Sequence, residues 1–387
     1  MPLRLTSAPI VSIHRPLRRR RRGSLLEITL NRKGLPEGLD NLRPMKSDIA
    51  SLFRSVSIAA AGLALFLTAC GGSANIPPRT SIGPMPAGLI TNFAQGISPQ
   101  AMPFYIANGP DGNLWFTEPS LDRIGRMTPS GAVTEFGSGL TPHAFPLDIA
   151  AGPDGNLWFT EPAIDSIGRI TPSGTITEFS AGITANADPN AIVAGPDGNL
   201  WFTENVDQIG RITPSGVVTE FASGISANAH PFGITAGPDG NLWFTEPGID
   251  RIARITPSGS VTEFSFAPNV TIAPVAIAAG PDGNLWFTEP SAGRIGRLTP
   301  SGVLTEFTSG ITPQAGLGEI ASGPDGNLWF TEVYADKIGR ITPSGVVSEF
   351  SYTLPDGARP LGIAAGPGGN MWFTESSANE IGSITTQ

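Results

Sequence analysis

Seven glutamates recur at a nearly constant interval: Glu118, Glu161, Glu204, Glu246, Glu289, Glu332 and Glu375, each closing the string Trp-Phe-Thr-Glu. Carboxylates gathered on one face would attract a cation. The competing reading is structural: each pairs with the arginine seven or eight residues on, namely Arg126, Arg169, Arg211, Arg254, Arg297 or Arg340. Six such matches favour pairing. Ser383 stands where a seventh arginine is expected, which leaves Glu375 as the candidate metal ligand. A second set breaks the repeat. Asp148 and Glu319 occupy one column, where the other units carry Tyr105, Ala191, Gly233, Ala276 and Gly362. Glu319 is a further candidate metal ligand, and Asp148 a candidate ligand-binding residue. His230 and Arg359 each precede a proline that opens a unit, and Phe104 and Phe232 each follow one. Imidazole exchanges its proton near neutrality, so His230 is the candidate general base, with Arg359, Phe104 and Phe232 as binding residues around it.

The elements that must position these groups follow from the tryptophans. All seven sit in the same motif, at 115, 158, 201, 243, 286, 329 and 372. A period of about 40–45 residues is that of propeller blades with four strands each. The second unit divides into strands 146–151, 156–161, 166–170 and 175–179. Gly152-Pro153-Asp154-Gly155 and Thr171-Pro172-Ser173-Gly174 form the tight turns between them. With 48 glycines and 37 prolines in 387 residues, a mainly helical chain is excluded. The expected fold is all-β, a seven-bladed propeller of four antiparallel strands per blade. The last unit stops after three strands, 361–366, 370–375 and 380–385. An orphan copy of the fourth, Leu89-Ile90-Thr91-Asn92-Phe93, lies ahead of the first unit. Residues 89–93 are therefore expected to close the seventh blade, leaving no open sheet edge and favouring a monomer.

Strand alternation puts both tight turns on one face. The other face carries the loops that vary most, such as 137–145 and 222–230, and a small-molecule or peptide ligand is expected there. Asp148 and Glu319, from the second and sixth units, would face each other across the channel.

Charge separates the N-terminal part from the rest. Residues 1–70 hold 12 Lys and Arg against 4 Asp and Glu, whereas residues 71–387 hold 12 against 29, a net charge of −17. Such a body argues against nucleic acid as a partner. A positive stretch from Met45, an apolar run 57–67 and Leu67-Thr68-Ala69-Cys70 resemble a bacterial lipoprotein signal. Lipid on Cys70, the single cysteine, would anchor an exported protein to the membrane. Residues 45–70 are then the signal and 71–88 a flexible tether. Residues 1–44, with Arg18 to Arg22, are an upstream extension or a disordered basic segment. One cysteine and three histidines exclude an internal disulfide and offer little for zinc.

The string Gly233-Ile234-Thr235-Ala236-Gly237-Pro238-Asp239-Gly240-Asn241-Leu242-Trp243-Phe244-Thr245-Glu246 recurs around the chain. With Ile167-Gly168-Arg169-Ile170-Thr171-Pro172-Ser173-Gly174 and Val218-Thr219-Glu220-Phe221, it resembles the virginiamycin B lyase (streptogramin B lyase) family over residues 89–387. The resemblance implies a seven-bladed propeller that opens a cyclic depsipeptide antibiotic by elimination at its ester, with Mg2+ and a histidine base. The family opens its last blade Glu-Pro-His-Gly, where this chain has Arg359-Pro360-Leu361-Gly362. It opens the preceding blade Pro-His-Ala-Ile, where this chain has Leu317-Gly318-Glu319-Ile320. The glutamate ending the family's last Trp-Phe strand is matched by Glu375. Three functions follow as expectations: a ligand-binding propeller, a Mg2+-dependent lyase, or a lactonase-like hydrolase with a metal held by Asp148, Glu319 and Glu375.

Overall fold

The computed structural model describes residues 87–266, 271–351 and 355–387. The N-terminal extension, the signal segment with Cys70 and nearly all of the tether lie outside the described residues. Seven four-stranded antiparallel sheets follow one another along the chain. Blade 2 is typical, with strands Ile149–Ala151, Leu157–Glu161, Ser166–Ile170 and Ile176–Phe179. The first strand is shorter than the 146–151 expected. Its pairing nonetheless continues outward, because Leu147 N donates to Thr160 O and Thr160 N to Asp148 O. In blades 3, 6 and 7 the same strand runs six residues and carries a register shift.

The seventh blade is closed by the N-terminal strand. Ile90–Phe93 pairs antiparallel with Glu380–Thr385, Ile90 opposite Ile384 and Phe93 opposite Ile381. Leu89 extends the seam, since its amide donates to Thr385 Oγ1 at 3.0 Å.

Each blade is built on its tryptophan. The second-strand residues Leu-Trp-Phe-Thr-Glu are buried throughout, as expected of a strand covered on both faces. In blades 1 to 6 the tryptophan Nε1 donates to the aspartate of the preceding turn, 3.0 Å in blade 2, and its ring stacks on the fourth-strand phenylalanine, Trp158 on Phe179 at 5.4 Å. Phe93 plays that part for Trp372. The turn glycine adopts positive φ, +76° at Gly155, which a side chain would strain.

A ring of threonines joins the blades. Thr117 Oγ1 donates to Leu147 O, Thr160 to Asn190 O, and so on to Thr331 with Leu361 O. Thr374 donates to Phe104 O at 2.6 Å, returning the ring to blade 1. Phe104, Phe232 and their equivalents, including Gly318 after Leu317 in blade 6, thus supply the carbonyls of the inter-blade seam.

Contrary to the pairing expected from sequence, Arg126, Arg169, Arg211, Arg254, Arg297 and Arg340 are not the partners of the repeated glutamates. Register puts Arg169 opposite Trp158 and Ser166 opposite Glu161, so glutamate and arginine sit three residues apart along the strand. The Arg169 guanidinium instead lies over the Trp158 and Phe179 rings, and its NH1 donates to Pro214 O of the next blade. Ser383 correspondingly stands opposite Trp372, while Glu375 faces Glu380.

Candidate functional site

The variable-loop face is organised by a second aspartate. Asp207 accepts from the amides of Asn228 and His230, and Asp336 from those of Gly357 and Arg359. Each such carboxylate grips the loop that opens the next blade, and the gripped residues take positive φ, +49° at His230 and +53° at Arg359. Gly293 stands at this position in blade 5. The loop residue Ser or Thr is fixed from a different direction. Thr184 donates through its amide and hydroxyl to Glu220, on the fourth strand of blade 3.

His230 Nδ1 lies 3.0 Å from Asn205 O. A carbonyl can only accept, so Nδ1 carries the proton and Nε2 is left as the basic nitrogen. Arg359 is held at the mouth of blade 7 by Asp336. Among the described residues no group of three His, Cys, Asp or Glu gathers in metal-binding geometry. His230, Glu319 and Glu375 are therefore not brought together as one centre.

The seven glutamates form buried carboxyl pairs. Glu161 is fully buried and neither of its oxygens has a partner among the described residues. Its neighbours are Glu178 on the fourth strand and, at longer range, Asp122. Burial first, then repulsion from Glu178, pushes its carboxyl up to about 9. It keeps its proton at neutral pH and can donate it to Glu178. Blade 3 repeats this with Glu204, also about 9, beside Glu220. The other blades mostly add a cation: Arg123 with Glu135, Arg251 with Glu263, Arg294 with Glu289 and Glu306, and Lys337 with Glu349. Glu289, bonded directly to Arg294, is raised only to about 7. The fourth-strand glutamate is a partner that sequence reasoning missed. It is the same residue in every complete unit, so nothing in the sequence set it apart.

Glu375 belongs to this set. Asn92 Nδ2 donates to its Oε2 at 3.4 Å and to Glu380 Oε2 at 3.2 Å, while Oε1 has no partner among the described residues. Burial, with Glu380 and Asp336, raises it to about 8. The Mg2+ site implied by the resemblance does not fit the residues present: Arg359 occupies the sequence position of the family's second metal glutamate, and Glu375 Oε2 already accepts from Asn92.

The axis holds the other candidates. A cavity of about 40 Å3 is lined by Tyr105, Asp148, Phe232, Ile234 and Glu319, among others. Asp148 Oδ1 accepts from Ile149 N and Oδ2 from Ile192 N of the next blade, both at 2.8 Å. Burial raises Asp148 to about 7, and burial with repulsion from Asp148 raises Glu319 to about 8. Burial, then Glu319 and Asp148, push the Tyr105 hydroxyl well above its usual range. The expected meeting of Asp148 and Glu319 across the channel is thus seen, and Tyr105 joins them.

Several solved structures share this architecture. The chain is 33% identical to a streptogramin B lyase, with a TM-score of 0.71, over 77% of this chain and 98% of that one. A virginiamycin B lyase from Staphylococcus aureus matches at 37% identity and a TM-score of 0.70, over 77% and 98%. A catalytically inactive histidine-to-alanine form of the S. aureus enzyme with quinupristin matches at 36% and 0.71, over 77% and 99%. The WD40 propeller of Doa1, 11% identical, shares the fold alone. No curated protein matches the chain. The virginiamycin B lyase family model covers residues 79–224 and 183–387. By sequence and by blade architecture alike, the chain belongs to the virginiamycin B lyase family.

Proposed function

We propose that this protein is an exported, lipid-anchored propeller that binds a small-molecule or peptide ligand on its variable-loop face without the family's elimination chemistry. The observation that carries this reading is the composition of the column that follows the opening proline, or Leu317 in blade 6. That column holds Phe104, Leu147, Asn190, Phe232, Val275, Gly318 and Leu361, with no histidine. An elimination needs a positioned base and stabilisation of the charge that develops. In the S. aureus enzyme a histidine-to-alanine change leaves the protein catalytically inactive, which supports the same conclusion for a column that lacks histidine altogether. His230, one residue before the proline, directs its Nδ1–H at Asn205 O rather than at Glu375 or Glu319. The anchor rests on the signal-like segment ending at Cys70.

A second reading, a Mg2+-dependent lyase acting on a type B streptogramin, is favoured by family membership and by Glu375 at a matching position. One assay separates the two. The full chain is incubated with a type B streptogramin and Mg2+, and the antibiotic is followed by mass spectrometry. We expect it to remain cyclic over hours at high protein concentration. A linear product of unchanged mass would establish elimination and overturn the proposal. A product heavier by one water would point to a hydrolase.

A further inference from the structure

The repeat makes the axial column a place for small residues: blades 3, 4, 5 and 7 put Ala191, Gly233, Ala276 and Gly362 there. The three blades that depart from this all present oxygen, and all three side chains line the same cavity: Tyr105, Asp148 and Glu319. The two carboxyls come from opposite sides of the ring and lie close enough to repel each other. Asp148 is held rigidly by amides from two blades, and each of its oxygens keeps a lone pair beyond the one each amide uses. Tyr105 lines the cavity, and its hydroxyl makes no hydrogen bond among the described residues. Glu319 is left with only the amide of its neighbour Ile320. Two carboxylates facing each other across the cavity, with an unpaired hydroxyl beside them, sit together favourably only with a shared proton or a cation between them.

We propose that the axial cavity binds one hard divalent cation, held between Asp148 and Glu319 with the Tyr105 hydroxyl as a third oxygen. A divalent charge balances the two carboxylates. Oxygen donors suit Mg2+ or Ca2+, and Mg2+ in particular is commonly held by one or two carboxylates with water completing its shell. A cavity of about 40 Å3 has room for this, since a single water needs roughly 10–15 Å3 by the same measure. The site is distinct from the family's metal position, where Arg359 and the buried Glu375 stand. It does not depend on which ligand the loop face takes.

The test is calorimetric titration of the full chain, stripped with a chelator, using MgCl2, CaCl2 and MnCl2 in turn. One ion per chain is expected for at least one of the three. Asp148→Asn and Glu319→Gln should each weaken binding at least tenfold, and Tyr105→Phe severalfold. Because the Glu319 carboxyl bonds only to its neighbour's amide, Glu319→Gln should fold normally, which a thermal melt would verify. No binding of any of the three ions by the folded chain would overturn the proposal. So would binding that survives Glu319→Gln but is lost in Glu375→Gln, which would move the ion to the seventh blade.

Discussion

The Asp154 carboxylate accepts from the amide and side chain of Asn156 and from the buried indole of Trp158. One side chain thereby closes the turn and fixes the largest ring in the blade. Asp154→Ala leaves that indole N–H without its acceptor, a loss of about 1–3 kcal/mol in an ordinary interior. Urea unfolding should show it as a lower midpoint at unchanged slope. An unchanged midpoint would mean that a backbone carbonyl takes over. Blade 7 shows how that would look: Gly368 replaces the aspartate there, and Trp372 Nε1 donates to Pro367 O at 3.2 Å. The same scale fixes how His230 is held. Asp207 and Asn205 fix both its backbone and its ring, and neither interaction points it toward a metal ligand.

The strand is the scale at which the sequence was most informative and also most misleading. Tryptophan spacing announced seven blades, and the orphan Leu89-Ile90-Thr91-Asn92-Phe93 announced the closing strand, because a repeat unit shows its own missing part. Deleting residues 89–93 removes the partner of Glu380–Thr385, the Phe93–Trp372 stack and the Asn92 bonds to Glu375 and Glu380 together. The expected result is a lower melting temperature for the whole domain in a single cooperative transition, followed by circular dichroism. A melt identical to that of the intact chain would refute the clasp. Register, by contrast, was not legible. Glu161 and Arg169 are separated by a connection of unknown length in strand pairs, and an offset of three residues moves the arginine from the carboxylate to the tryptophan. The true neighbour, Glu178, lies two strands away and is the same residue in every complete unit, so nothing set it apart. The axial column was legible for the opposite reason: Asp148 and Glu319 differ from their repeat equivalents.

Over the whole molecule the seven buried carboxyls act in one direction. Glu118, Glu161, Glu204, Glu246, Glu332 and Glu375 are raised to between about 8 and about 9, and Glu289 to about 7. In the unfolded chain each ionises near the ordinary glutamate value of roughly 4.3. Between that pH and the raised values the folded state holds more protons than the unfolded one, so stability falls as pH rises. Opposing this on the acid side are the turn aspartates. Burial pushes Asp111 and its equivalents up, but hydrogen bonds from Asn113, Trp115 and their counterparts outweigh it and hold them below the usual range. Their contribution is lost only as pH drops below about 4. The melting temperature should therefore peak between roughly pH 4 and 6 and decline by several degrees toward pH 9. Blades 2 and 3, with Ser166 and Gln208 where blades 1, 4, 5 and 6 place a cation, should dominate the decline. Glu161→Gln tests this, since the amide cannot ionise and can still donate to Glu178. The variant should melt higher than the parent at pH 9 and show a shallower pH dependence. A parent curve that rises from pH 5 to pH 9 would show that these carboxyls are ionised in the folded ring and paired with something other than a proton.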